Sequence, residues 1–214
     1  MKQKRWISLL TAGVLAIGLV LAGCAPAQQP GSQPESSSQV EESSQEPETK
    51  VPTLYIGTVD AEGNGSFQEY PFVGSGKVTP EALIAAMAEL TGWNLTLSAE
   101  DPVTTGKGGM TVSFASESAI FTGPPIEQKE EFHLYSADQL CYTIFDSVQK
   151  TLQENFSPEN PGALDIYYCT DGSGEIELGQ LGVVLPLDEP YSHALFEQLL
   201  MSAVIVEPDD SAAE

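Results

Sequence analysis

Seven apolar residues, Leu140, Cys141, Ile144, Phe145, Val148, Leu152 and Phe156, recur at helical spacing along one short stretch of this chain. A stripe that wide has to be buried, so it commits the sequence to a helix laid over a sheet face or against other helices. Ser136 with Gln139 has the form of a capping box and Tyr135 is placed to staple Leu140, which predicts a helix from Ala137 to about Asn155.

The flanking residues predict the partners of that helix. Thr53 to Val59 is rich in β-branched and aromatic residues and ends in the Gly/Asn cluster Asp60 to Ser66, so Phe67 to Val73 is expected to return as a hairpin arm. Thr79 as N-cap, Pro80 at the first helical position and Glu81 in the first turn open a second helix, which carries Leu83, Met87 and Leu90 and stops at Gly92. Strands are expected over Leu95 to Thr104 and Met110 to Ser116. A hairpin should run from Ala163 to Thr170, turn at Asp171-Gly172-Ser173-Gly174 and return through Glu175 to Leu178. Val183 to Leu185 adds a strand, and Ser192 opens a last helix with Leu195, Phe196, Leu199 and Leu200. Strands grouped in pairs between helices predict an α+β fold: a mixed or antiparallel sheet of about five to seven strands with two to three helices, in one compact domain over residues 53–206.

The first 52 residues read differently. Lys2, Lys4 and Arg5 precede an apolar run from Trp6 to Val20, too short for a stable span of roughly 20 apolar residues. The run ends in Leu21-Ala22-Gly23-Cys24, which resembles the bacterial lipobox, whose cysteine is lipidated and becomes the first residue after cleavage. Residues 1–23 are thus expected to be a lipoprotein signal peptide, Cys24 the lipidation site, and the protein a lipid-anchored resident of the outer face of the cytoplasmic membrane. The alternative is an ordinary secretory cleavage after Ala27. Residues 24–52, almost entirely Ala, Gln, Pro, Ser and Glu, cannot bury enough apolar surface to offset their ordering entropy and are expected to form a disordered tether. Such a tether reaches ~90 Å fully extended and roughly 30 Å on average as a flexible coil. Residues 207–214 are read as an acidic disordered tail.

Charge excludes one class of partner. The whole chain has a formal net charge of −23, and cleavage before Cys24 would remove three of its eight basic residues and no acidic ones. Lys50, Lys77, Lys107, Lys129 and Lys150 remain, scattered among 31 acidic residues, so no basic patch is available for nucleic acid.

Three segments in chain order resemble the GerMN domain of sporulation, spore-germination and other bacterial envelope lipoproteins. They are Gly108-Gly109-Met110-Thr111-Val112-Ser113-Phe114, Gln139-Leu140-Cys141-Tyr142-Thr143-Ile144, and Leu164-Asp165-Ile166-Tyr167-Tyr168 leading to Asp171-Gly172. With Leu54-Tyr55-Ile56 the resemblance covers about two thirds of the body. It departs from the family's pattern at Leu90-Thr91-Gly92-Trp93-Asn94-Leu95, which lacks a Gly-Pro-rich connection; Gly123-Pro124-Pro125 comes later. The resemblance implies a non-catalytic α+β module that works in envelope or sporulation assemblies by contact with a protein or a wall polymer. It carries over no catalytic residues and no cofactor.

The remaining motifs support no chemistry more specific than this. Gly74-Ser75-Gly76-Lys77-Val78-Thr79 is a phosphate-loop fragment with Pro71 where a glycine is required and Val78 where Ser or Thr is required. Gly106 to Gly109 reads as a hairpin turn. A Ser or Cys nucleophile wants a histidine base, and His133 and His193 both read as surface or boundary residues outside any nucleophile motif. Glu130-Glu131, Asp188-Glu189 and Asp209-Asp210 read as solvated charges. Asp171, Ser173, Glu175 and Glu177 supply oxygens near a turn without an EF-hand pattern, so no metal is expected. Tyr167, Tyr168, Trp93 and Tyr191 could line a groove or pack a core, and Tyr167 marks the sheet face proposed for contact. Cys169 falls on the strand face opposite Leu164, Ile166 and Tyr168, whereas Cys141 lies over the core, so two free thiols are expected instead of a disulfide. An envelope hydrolase acting on peptidoglycan and a small-ligand-binding lipoprotein are the alternative functions; the oligomeric state is open.

Overall fold

The computed structural model describes residues 51–59, 65–106 and 108–204. The signal peptide, Cys24, the tether up to residue 50 and the acidic tail with Asp209-Asp210 lie outside the described residues.

The body is α+β. In chain order it comprises β1 (Thr53–Val59), β2 (Gly65–Pro71), α1 (Pro80–Thr91), β3 (Val103–Gly106), β4 (Gly109–Phe114), α2 (Ala119–Thr122), α3 (Ala137–Phe156), β5 (Asp165–Thr170), β6 (Ile176–Leu178), β7 (Val183–Leu185) and α4 (His193–Val204). Short 3₁₀ turns precede α3 at Glu130–Phe132 and follow it at Pro161–Ala163. The seven strands are divided among three small sheets, β1-β2, β3-β4-β5 and β6-β7.

Helix α3 is the axis of the fold. Leu140, Cys141, Ile144, Phe145, Val148 and Leu152 are completely buried, and Phe156 is half-buried at the helix end. Its start differs from expectation: Ser136 makes no side-chain cap hydrogen bond. Tyr135 does not staple Leu140 either, being 85% exposed and tilted against the His133 ring at 4.4 Å. Burial of the stripe, and not its cap, holds this helix. At α1 the expected devices are all present: Thr79 Oγ1 accepts from the Ala82 N–H at 3.2 Å, and Gly92 caps the end at φ 80°. A Cβ on Gly92 would stand 3.2 Å from the Glu127 carbonyl oxygen, so only glycine serves that corner.

The central sheet is mixed. β3 and β4 are antiparallel, β4 and β5 parallel, and α3 lies in the connection between the parallel pair. The expected strand Leu95 to Thr104 appears as two pieces on the same edge of β4. Leu97 bridges Phe114 and the Ser98 N–H donates to the Ser113 carbonyl, whereas Val103 pairs with Val112. Between them the chain loops out through Asp101, at φ 49°, and Pro102, which has no N–H to offer a ladder. The expected β5–β6 hairpin is also revised. Past a single bridge, Thr170 to Gly174, β6 turns away and pairs with β7.

Candidate functional site

The site arises from a second, polar stripe on α3. Ser147, Thr151 and Asn155 follow one another at four-residue spacing and face the edge of β1 that β2 does not pair with. The Gly57 N–H donates to Ser147 Oγ at 2.8 Å, the Tyr55 N–H to Thr151 Oγ1 at 2.9 Å and the Thr53 N–H to Asn155 Oδ1 at 3.1 Å. Asn155 Nδ2 returns a bond to the Thr53 carbonyl at 2.7 Å. Backbone donors of a strand edge are thus satisfied by helix side chains where a third strand would otherwise be needed. Gly57 permits the close approach, since a Cβ there would meet Thr143 Cγ2 at 3.3 Å and Ser147 Oγ at 3.4 Å.

One helical step further lies Thr143. It is 2% exposed, and its hydroxyl is the one buried side-chain polar atom among the described residues that has no hydrogen-bond partner. Thr143 lines a cavity of about 420 Å³ that opens between the β1-β2 hairpin and α3. Phe67 and Gly57 form the hairpin wall; Asp146, Lys150 and Gln153 come from α3, and His193 from the start of α4.

Asp146 organises the end of the cavity. Its Oδ1 accepts from the Tyr191 hydroxyl at 2.6 Å and its Oδ2 lies 2.6 Å from His193 Nδ1. Burial raises the Asp146 pKa, opposed by the Tyr191 hydrogen bond and by His193. For His193, half exposed, desolvation pulls the pKa down, but the charges and hydrogen bonds of Asp146 and Glu197 outweigh it and leave the imidazole more basic than usual. Its Nε2 sits 3.4 Å from Glu197 Oε1, and its ring meets Tyr142 edge-on at 5.5 Å. Both imidazole nitrogens therefore face carboxylates. The Asp–His half of a hydrolytic triad is present, but Glu197 stands where a triad would place its nucleophile.

This linkage has a pH signature. Because the folded state holds the His193 proton more tightly than the unfolded state, its contribution is fully present below pH 6.5, the ordinary histidine value, and is lost as pH rises through the raised folded value. Urea midpoints measured from pH 6 to 8 are expected to fall in the wild type, and His193→Gln is expected to flatten that slope. An unchanged slope in the variant would remove His193 from the linkage.

The residues singled out in the sequence are dispersed. Gly74 to Lys77 is an exposed loop, whereas Val78 packs against the core and Thr79 caps α1. Gly106, Gly108 and Gly109 belong to the β3-β4 turn, Lys107 being outside the described residues. Glu130-Glu131 and Asp188-Glu189 are exposed, as are Asp171, Ser173, Glu175 and Glu177. Among the described residues no group of three or more His, Cys, Asp or Glu side chains could hold a metal ion. Three of the four aromatics are core: Trp93 Nε1 donates to the Phe132 carbonyl, the Tyr168 hydroxyl to the Phe145 carbonyl, and Tyr191 joins both of those rings at the Asp146 end. Tyr167 alone is left half-buried. Cys141 and Cys169 are free and buried, and burial pushes the Cys141 thiol up to about 12. His133 stays half-buried in the turn before α3, whereas His193 belongs to the site. Asp146 and the hydroxyl ladder are not singled out by any sequence motif; their one signal is the four-residue repeat Thr143, Ser147, Thr151, Asn155 on the flank of an apolar stripe.

Compared with known proteins, the chain matches no family model, no curated protein and no solved structure.

Proposed function

We propose that the chain is a lipid-anchored envelope protein whose body is a non-catalytic, GerMN-like contact module in cell-envelope or sporulation-related assembly, engaging a protein or a wall polymer. The observation that carries this reading is the chemistry at His193. An imidazole clasped by two carboxylates and a tyrosine ring, with no nucleophile against either nitrogen among the described residues, is suited to holding a surface and not to attacking a bond. Two further features support it. The three segments of the family resemblance fall on β4, the first turns of α3, and β5 with its turn, and the lipobox at Cys24 precedes a long low-complexity tether.

The anchor is tested by Cys24→Ala in the producing cell. Two acyl chains, at ~0.8 kcal/mol per buried CH₂, make a nearly permanent attachment, so the variant is expected to leave the membrane fraction. Retention at the wild-type level refutes the anchor. The Asp146–His193 pair favours a second reading, an envelope hydrolase. Cleavage of purified peptidoglycan that is abolished by His193→Ala would establish that reading against the contact module.

A further inference from the structure

We propose that the cavity between the β1-β2 hairpin and α3 is a binding site for a neutral sugar. The inference rests on the contact-module reading and narrows it to a glycan.

Three observations point to this ligand class. First, the Thr143 hydroxyl is buried at the cavity without a hydrogen-bond partner among the described residues. An unmet buried hydroxyl costs about 1–3 kcal/mol, and a bound hydroxyl-bearing molecule supplies the missing partner. Second, Gln149 and Gln153, which also line the cavity, spend their amide NH₂ groups on the Tyr191 and Leu164 carbonyls at 2.7 and 2.8 Å. Neither amide carbonyl oxygen has a hydrogen-bond donor among the described residues, so the lining suits a ligand rich in O–H donors. Third, the charges at the site are already matched. Lys150 pairs with Glu154 at 3.3 Å and lies 5.3 Å from the Phe67 ring centroid, and His193 pairs with Asp146.

Among the described residues of the lining, which does not include Glu197, neither an anion nor a cation finds an uncompensated partner, and a chain of net charge −23 repels anions at long range. What fits is an uncharged polyhydroxyl ring whose apolar face lies on Phe67 or Tyr142, both at the cavity wall. The volume of about 420 Å³ lies within the range of small-molecule pockets and admits a mono- or disaccharide.

The test is a titration of the ¹⁵N-labelled full chain in detergent micelles with three probes: diacetylchitobiose, which is neutral, glucuronate, an anion, and glucosamine, a cation. Saturable shifts of the Gly57, Gly65 and Thr143 amides with diacetylchitobiose alone are expected. Thr143→Val should weaken that binding at least tenfold while the protein unfolds at higher urea, and Thr143→Ser, which keeps the hydroxyl, should restore it. No shift with the neutral disaccharide, a preference for either charged probe, or unchanged affinity in Thr143→Val each overturns the proposal. Sedimentation with isolated cell-wall polymer separates the two levels of inference. Wall binding that survives Thr143→Val places the wall contact elsewhere and overturns the assignment of that contact to this cavity, while the contact module stands. Sugar binding by a chain that captures neither wall polymer nor envelope protein overturns the module and upholds the site.

Discussion

Phe145→Ala is expected to lower the unfolding free energy by about 3–5 kcal/mol. Phe145 is completely buried and sits among four rings: Tyr168 at 4.7 Å, Tyr191 at 5.3 Å, Phe196 at 5.7 Å and Phe114 at 6.2 Å. Those rings come from β5, the segment before α4, α4 itself and β4, so one side chain joins the parallel strand pair to the last helix. Its removal leaves a cavity that rings held by separate elements cannot collapse to fill. In a body of this size the melting temperature should fall by roughly 6–20 °C. Urea unfolding followed by the fluorescence of buried Trp93 measures the difference. Phe156→Ala is the comparison, since Phe156 belongs to the same stripe but is half-buried, and its cost should be well under half as large. Equal losses at the two positions would mean that the aromatic cluster is not the keystone of the core.

The same helix shows what could be read from the sequence and what could not. The apolar period of α3 survives unchanged in the fold, because a stripe of six fully buried residues is enforced by the water it must avoid. Thr79 and Gly92 act as expected because caps are local. Sheet membership is not local: Ile176 to Leu178 reads equally well as partner of β5 or of β7, and packing against α2 and β7 decides it. Asp101 and Pro102 carry a visible warning of a break, but the resumption of pairing beyond it depends on the reach of β4. The candidate site was least legible. Asp146 and His193 are separated by 47 residues and meet only because Tyr191 and Phe196 seat the start of α4 against Phe145.

Thr151→Val gives the second large effect, and its sign is set by one atom. Thr151 Oγ1 accepts from the Tyr55 N–H at 2.9 Å and is itself 3.3 Å from the Tyr55 carbonyl, in a buried setting. Valine keeps the branched shape and adds a methyl where that hydroxyl worked, so the amide loses its acceptor without gaining access to water. The expected cost is about 1–3 kcal/mol. Two helical steps earlier the identical substitution, Thr143→Val, removes a hydroxyl that bonds to nothing and should raise stability by about 1 kcal/mol. Helix propensity is nearly the same for Thr and Val and both sites are fully buried, so hydrogen bonding alone distinguishes the pair. Opposite shifts in urea midpoint are the expected result. Shifts of the same sign would show that β1 is held to α3 by apolar packing and not by the hydroxyl ladder, and would take away the reason for reading Thr143 as a vacant rung that a ligand completes.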